Sequence, residues 1–456
     1  MKILSPLALC LASALSAGCA NTLKSDYRAP EMSYPASWNK SDMAGDPAPF
    51  DWKAFNDPHL DNWLRQVMAS NNDVAIAMLR MYRARLDAER VGIANAPGLK
   101  SSLGVDGKNQ LNNSSGWTKS SSSSLSTSYE LDLWGKIARQ RDAAEWASHA
   151  SEEDFRSVRL TLLSEASNNY WRISFVNQQI DVLQQSIDYA KETLRLAGAR
   201  YRAGGTSSLD VVDAQQSLLA QENLLTGLQR ERLQGLNQQA VLLGAAPGSP
   251  VVEPTTLPKG SLPKVNAHIP ASVLMHRPDI SAKEWRVREA LATVDIKRTE
   301  YYPAFSLTGA LGTSSTSLLT FLHNPVGSVG ANLTLPFLEW RQRGIEIKIA
   351  RNDYEQRVLE FKQRLYKAMS SIEDELSLRN QLLAQEIRLQ EGLELARKSE
   401  RLNEVRYRQG AARISFWLDA QEKRRQAELQ LDENRFNQQQ NLAKIYLEFG
   451  GSSTFP

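Results

Sequence analysis

Little in the sequence is spaced for covalent or metal chemistry. The five histidines, His59, His149, His268, His276 and His323, are scattered without ligand intervals. Cys10 and Cys19 are the only cysteines, which excludes a disulfide framework and a thiolate zinc site. No G-x-S-x-G, H-E-x-x-H or P-loop occurs. Carboxylates are plentiful, but they lie along amphipathic stretches, the usual place of solvated faces, rather than as a glycosidase-like pair. No enzyme, metal or cofactor is expected. One residue is placed for modification. Lys2 starts a leader in which Ile3–Leu15 is mostly apolar and Ser16-Ala17-Gly18 are small. Leu15-Ser16-Ala17-Gly18-Cys19 resembles a bacterial lipobox, with Ser16 where leucine is usual. Residues 1–18 therefore read as a signal peptide and Cys19 as a lipidation site; the alternative is an ordinary signal cleaved nearby, which would leave Cys19 a free thiol. Acyl chains at ~0.8 kcal/mol per buried CH₂ would tether the mature chain to lipid.

The elements that surround these residues are set by composition and pattern. Hydrophobic residues make up 42% and charged residues 23% of 456 positions, the balance of a folded chain. Mean hydropathy is −0.42, and past the leader no apolar run approaches the ~20 residues of a helical span. The net charge of +3 comes without a basic block, so nucleic acid is not a partner to expect.

The chain repeats itself at an offset of 206 residues. Asp73 meets Asp279, Arg80 meets Arg286, Pro97 meets Pro303 and Trp134 meets Trp340. Arg200-Tyr201-Arg202 meets Arg406-Tyr407-Arg408, and Asp213-Ala214-Gln215 meets Asp419-Ala420-Gln421. The expected division is signal 1–18, an extended lipidated arm 19–54, a first repeat 55–245, a proline-rich linker 246–270, a second repeat 271–450 and a tail 451–456. Each repeat opens with a helix, Asp57–Ala94 or Pro278–Tyr301. Two strands follow, then a long helix, a glycine-containing turn and another long helix.

The strands alternate with period two. Leu125, Thr127, Tyr129, Leu131 and Leu133 share one face, opposite Ser124, Ser126, Ser128, Glu130 and Asp132. Phe305, Leu307 and Leu311 repeat the pattern, as do Val329, Ala331, Leu333, Leu335 and Phe337. Asn109–Ser124, with five consecutive serines, and Thr313–Gly327 read as the connecting segments. The helix over Lys136–Ala203 would be about 100 Å long at ~1.5 Å per residue, a rod rather than a globular helix. Its seam, Ile173, Val176, Ile180, Leu183, Ile187, Ala190, Leu194, Ala197 and Tyr201, alternates three- and four-residue steps, the heptad of a left-handed coiled coil. The short turns after it make its neighbours antiparallel.

Four strands of membrane-crossing length cannot close a barrel, because the smallest transmembrane barrels have ~8. Lipid forbids open edges, so the barrel must be shared between chains. Two chains would give a barrel filled by side chains, three an open lumen lined by Ser, Thr, Glu and Asp.

Several stretches together resemble one family. They are the lipobox, YELDLWGK at Tyr129–Lys136, HRPDI at His276–Ile280, YYPAFSLTGALG at Tyr301–Gly312, and the turns RYRAGGTSSLDVVDAQ (Arg200–Gln215) and RYRQGAARISFWLDAQ (Arg406–Gln421). They are similar to the lipoprotein branch of the TolC/OprM outer-membrane factors, over about Cys19 to Gly450. The resemblance implies an α+β membrane protein, a homotrimer with one 12-stranded transmembrane β-barrel, four strands per chain, continuing into a long α-helical coiled-coil periplasmic barrel. It implies a passive exit duct in the outer membrane, working with a periplasmic adaptor and an inner-membrane pump of RND type, or alternatively of ABC type for a siderophore, peptide or macrolide. A non-conducting coiled-coil scaffold would explain the heptads but not the duplicated strands.

The resemblance also implies roles. Asp419, Phe416 and Ser415, with Asp210 and Asp213, would ring the narrow end of the tunnel, where converging carboxylates select cations. Helix capping is the alternative for the aspartates. Tyr201, Tyr407, Arg200, Arg202, Arg406 and Arg408 would make hydrogen bonds and ion pairs between hairpins that hold the tube closed. Alternatively Tyr201 is the last heptad knob and the arginines compensate helix dipoles. Gly204, Gly205, Thr206, Gly410, Ala411 and Ala412 would receive the adaptor, although a helix terminus also favours glycine.

Cys19→Ala is expected to abolish metabolic labelling with palmitate while leaving channel assembly intact. Label persisting in the variant would show that Cys19 is not the acylated residue.

Overall fold

The computed structural model describes residues 23–32, 52–93, 96–109, 117–258, 262–263, 271–315, 325–336 and 340–451. The signal segment and Cys19 lie outside them. The helices are α1 (Pro58–Ser70), α2 (Asn72–Ile93), α3 (Lys136–Arg202), α4 (Ser208–Leu242), α5 (Pro278–Thr299), α6 (Trp340–Arg408) and α7 (Ile414–Glu448). The strands are β1 (Gly98–Lys108), β2 (Thr118–Leu131), β3 (Ala304–Ser315) and β4 (Pro325–Thr334). Among the described residues no helix is long and apolar enough to cross a membrane. The chain divides into two compact units.

The first unit comprises Met1–Met32, Leu79–Glu153 and Ser281–Gln363. Its four strands form one antiparallel sheet in the order β1-β2-β3-β4. The two hairpins keep the same register across the duplication: Gly98 faces Ser128, and its image Ala304 faces Thr334. The copies are joined by β2 and β3, with Leu125 opposite Leu311 and Tyr129 opposite Leu307. The serine run departs from expectation. It belongs to β2, not to a connection, and Ser102 Oγ lies 2.7 Å from Ser124 Oγ across the β1–β2 hairpin. Hydroxyls that find cross-strand partners do not interrupt a ladder. Likewise β3 runs on to Ser315 and β4 starts at Pro325, so both strands reach into the segment expected to connect them.

The corner from β2 into α3 explains the ELDLWGK stretch. Asp132 accepts the first helical N–H groups, from Ile137 at 3.1 Å and Ala138 at 2.8 Å. Gly135 takes φ 77°, where a side chain is strained, and Lys136 reaches back to Glu130 at 2.6 Å. Trp134 Nε1 donates to the Pro303 carbonyl at 2.8 Å and its ring lies 5.0 Å from that of Tyr302. The N-terminal arm is docked on α5. Ser25 gives its N–H and its hydroxyl to the buried Asp295 carboxylate, both at 2.7 Å. Arg288 stacks over the Tyr27 ring at 4.5 Å, and Tyr27 donates to Glu284. Burial, with Glu284 beside it, pushes the Tyr27 hydroxyl well above the usual phenol range.

The second unit comprises Ser33–Met78, Asp154–Ile280 and Arg364–Pro456. Asp57 caps α1, accepting from His59 and Leu60, with Pro58 in the first helical position. The expected single helix Asp57–Ala94 is two. Asn71 is extended (ψ 131°), and its Oδ1 accepts from Asp73 and Val74 to start α2. Its Nδ2 donates to the Leu242 carbonyl at the end of α4, 2.9 Å away. The second copy repeats this latch with a charged donor. Arg277 gives an N–H to the Glu448 carbonyl at 2.5 Å and pairs with the carboxylates of Glu448 and Asp279. Burial alone would lower the Arg277 pKa, but the two carboxylates reverse the direction and hold it raised.

The long hairpins carry the core of this unit. Ile173, Val176, Leu183, Ile187, Ala190 and Ala197 of the α3 seam are buried, and Phe175 stacks on Phe436 at 4.9 Å. Tyr201, the last position of the heptad, is exposed. At Gly235 the α3–α4 contact leaves no room: a Cβ there would sit 2.7 Å from the Ile173 Cγ1.

Gly235→Val is expected to destabilise the chain by about 2 kcal/mol through overpacking against a buried β-branched side chain. Gly227→Ala, on the same helix with open space at its Cα, should instead gain about 0.5–1 kcal/mol of helix propensity. Urea midpoints of the two variants check the contrast.

Candidate functional site

The hairpin ends, all within the second unit, hold the residues singled out by sequence. Both turns are built alike. Gly204 has φ 74° and Gly410 φ 77°. Gly204 N–H donates to Tyr201 O and Gly205 N–H to Arg200 O, and the images Gly410→Tyr407 and Ala411→Arg406 repeat both bonds. This Schellman pattern satisfies the last carbonyls of α3 and α6 and needs a residue without Cβ strain at the left-handed position. The tips are open: Gly204, Gly205, Gly410 and Ala411 are exposed, Thr206 and Ala412 half-buried.

Between the hairpins lies a buried cluster of Ala197, Ala214, Tyr407, Ile414 and Trp417. The Tyr407 and Trp417 rings are 5.4 Å apart, and Tyr189 meets Trp417 edge-on at 6.0 Å. Arg200 closes this cluster from the first copy. Its guanidinium lies 4.8 Å over the Tyr407 ring and donates to the Tyr407 carbonyl at 2.5 Å. Arg200 therefore spans the two copies, a charge-assisted hydrogen bond joined to a cation–π contact. Burial, together with Asp210, raises the Tyr407 pKa, while Arg200 acts against it. Burial also pushes Tyr189 up to about 12, helped by Glu404 and Glu400. Glu400 is raised by burial despite its Arg424 partner at 2.6 Å.

The duplicated residues are not placed alike. Tyr407 is 1% exposed and Tyr201 49%. Arg200 is engaged, whereas its image Arg406 is exposed, as is Arg202. Arg408 is turned to Glu404 on its own helix, at 2.8 Å. Asp210 is buried and accepts a hydrogen bond from Thr206. It is thus not an exposed carboxylate. Its image Phe416 is 59% exposed, and the image of Thr206 is Ala412. Ser415 is exposed and Asp213 half-buried. Asp419 is exposed and pairs with Lys423 one turn on, at 2.7 Å. It lies in the second turn of α7, whose N-cap is Arg413, so capping does not account for it. Lys423 escaped sequence reasoning, though the i, i+4 acid–base spacing could have shown it. Trp417 and Asp295 gave no sequence signal for their long-range contacts: Trp417 meets Tyr189 of the other copy, and Asp295 meets Ser25, 270 residues away.

A family model described as outer membrane efflux protein matches residues 63–245 and 269–451. The pyoverdine export outer membrane protein OpmQ of Pseudomonas aeruginosa is 30% identical over 443 residues, covering 92% of this chain and 90% of that one. The antibiotic efflux pump outer membrane protein ArpC of Pseudomonas putida is 26% identical, covering 98% and 95%. Among solved structures, the outer-membrane channel OprN superposes with a TM-score of 0.85 at 24% identity, over 95% of this chain and 99% of that one. That likeness is one of fold.

Arg200→Gln is expected to remove the ring contact and the charged hydrogen bond together. Hydrogen exchange of the α6–α7 turn should accelerate roughly tenfold or more, as a loss of about 1.5–3 kcal/mol implies. The unfolding midpoint should move little, since the hairpin tip opens locally.

Proposed function

The chain belongs to the outer membrane efflux protein family, and from that premise we propose that three copies form the outer-membrane duct of a tripartite export system. Cargo delivered by an inner-membrane pump and a periplasmic adaptor leaves the cell through it passively. The observation that carries this reading is the sheet. Its outer strands β1 and β4 are each paired on one side only among the described residues. Their odd-numbered side chains include the exposed apolar Leu99, Leu103, Val105, Val329 and Leu333. Hydrocarbon accepts that face but not the open edges, and only closure with other chains pairs them. Three chains give twelve strands and a lumen lined by the polar even-numbered face; two would give a barrel filled by side chains. The helices carry the same mark. Leu209, Val212, Leu219 and Leu233 on α4, and Ile387, Leu395, Leu402 and Val405 on α6, form exposed apolar rows suited to neighbouring helices.

On this reading the hairpin ends are the gate. Arg200 and Tyr407 hold the copies together within a chain, and Arg406 with Tyr201 does so between chains. Phe416, Ser415 and Asp419 face the opening, with Asp213 near them and Asp210 behind, in the contact between copies. The exposed glycine tips receive the adaptor. Cys19 carries the lipid that adds a second membrane attachment. The pump is of RND type. A second reading is an ABC-type exporter of a siderophore, peptide or macrolide; the 30% identity to a pyoverdine export protein favours a pyoverdine-like cargo. Reconstitution of export with each pump class in a strain lacking this chain separates the two. Native mass of the detergent-solubilised protein tests the trimer, and a stable conducting monomer would refute it.

Asp419→Ala is expected to weaken block by divalent cations about tenfold and to leave three unpaired Lys423 ammonium groups at the opening. Phe416→Ala should raise conductance with little change in cation block. Planar-bilayer recordings check both, and unchanged block in Asp419→Ala trimers would remove Asp419 from the gate.

A further inference from the structure

The internal duplication is accurate enough to specify how the strands of one chain meet those of the next. Both hairpins have the same register after the 206-residue shift: Leu103 faces Ser123, and Gly309 faces Val329. In all four strands the large apolar side chains, Val326 apart, are odd-numbered, and in every pairing odd faces odd, so one face carries them across the sheet. Within the chain, the first copy presents β2 to the second copy's β3. The image of β2 is β4 and the image of β3 is β1. In a closed ring of alternating copies, the contact from second copy to next chain's first copy repeats the one from first to second.

We propose that β4 pairs with β1 of the neighbouring chain in the register that β2 and β3 define, and that Trp340 seals the base of that seam. This rests on the reading of the chain as a ring-forming channel. Leu125 opposite Leu311, Thr127 opposite Gly309 and Tyr129 opposite Leu307 transpose to Ala331 opposite Val105, Leu333 opposite Leu103 and Leu335 opposite Ser101 of the next chain. The transposed pairs keep odd with odd, so the seam continues the same face, with Ser101 the polar member of the three pairs. The corner residues agree. Trp134 is half-buried, with its indole N–H on the Pro303 carbonyl at 2.8 Å. Its image Trp340 is 69% exposed, and the image of Pro303, Pro97, is exposed as well. The indole of Trp340 thus donates to the Pro97 carbonyl of the neighbour. The ring then contains alternating intrachain and interchain copies of one strand pairing and one Trp–Pro hydrogen bond.

Register is tested by cysteine pairs in the full-length chain, with the parent run alongside as the control for Cys19. Val105→Cys with Ala331→Cys should oxidise to reducible dimer and trimer bands. Leu125→Cys with Leu311→Cys, the intrachain image, should oxidise without joining chains, and calibrates the rate. Ala331→Cys combined with Leu103→Cys or with Gly107→Cys, each slipped by two residues, should oxidise at least tenfold more slowly. Ser102→Cys with Thr334→Cys reports the same register from the even-numbered face, should the first pair impair folding. Preferential cross-linking of a slipped pair overturns the register while leaving the trimer standing. Absence of cross-linking in every pair, in particles whose native mass is trimeric, overturns the β4–β1 contact itself. Failure of the parent to form trimers rejects the underlying reading instead.

Discussion

A strand in hydrocarbon must have each backbone N–H and C=O paired, because no water is present to take the place of a missing partner. Among the described residues one chain supplies four strands, and β1 and β4 have a strand on one side only, which leaves a row of such groups without a ladder partner. Each unmatched group would cost several kcal/mol in lipid, more in sum than the few kcal/mol by which domains are stable. Closure is therefore a condition of insertion rather than an addition to it. The duplicated plan follows from the same constraint. A repeat that brings two strands and one helical hairpin can be copied around a ring as long as each contact between copies is self-consistent, whether or not the chain is continuous across it.

Continuity is what makes the two copies differ. The first copy meets the second along an interface present in the isolated chain, and there Arg200, Tyr407 and Trp417 are packed together. The corresponding Tyr201 and Arg406 are exposed. Residues at matched positions thus sit in two environments, packed in one copy and exposed in the other.

Local pattern made much of this legible. Period-two alternation placed the strands, heptad spacing placed α3, and the offset showed the duplication without any structure. Sequence reasoning failed where a contact joins distant segments or where polarity misleads. The serines of β2 read as a loop because serine is common in turns, yet their partners across the hairpin keep them in the ladder. Asn71 broke a helix that looked continuous, since its side chain competes for the N–H groups of Asp73 and Val74. Asp210 and Asp213 looked equivalent at three-residue spacing, but only Asp210 is buried, because Thr206 turns in to meet it. The docking of Ser25 on Asp295 spans 270 residues and leaves no periodic trace.

The places where the copies diverge show substitutions that answer one another. Thr206 and Asp210 form a donor–acceptor pair in the first copy; their images Ala412 and Phe416 are both apolar. A carboxylate taken out of water needs its donor, and a lone threonine there would gain nothing, so the two positions change together. The latch at the other end of the long hairpins obeys the same logic. Asn71 donates to the Leu242 carbonyl, and Arg277 donates to that of Glu448. The backbone acceptor is retained, because it ends a long helix in both copies and must be satisfied. When the donor becomes a guanidinium, buried at 4% exposure, neutral surroundings no longer suffice. Glu448 in place of leucine, with Asp279, supplies the negative charge that keeps it ionised. Each copy has therefore kept the hydrogen bonds its backbone demands while altering the side chains around them as matched sets.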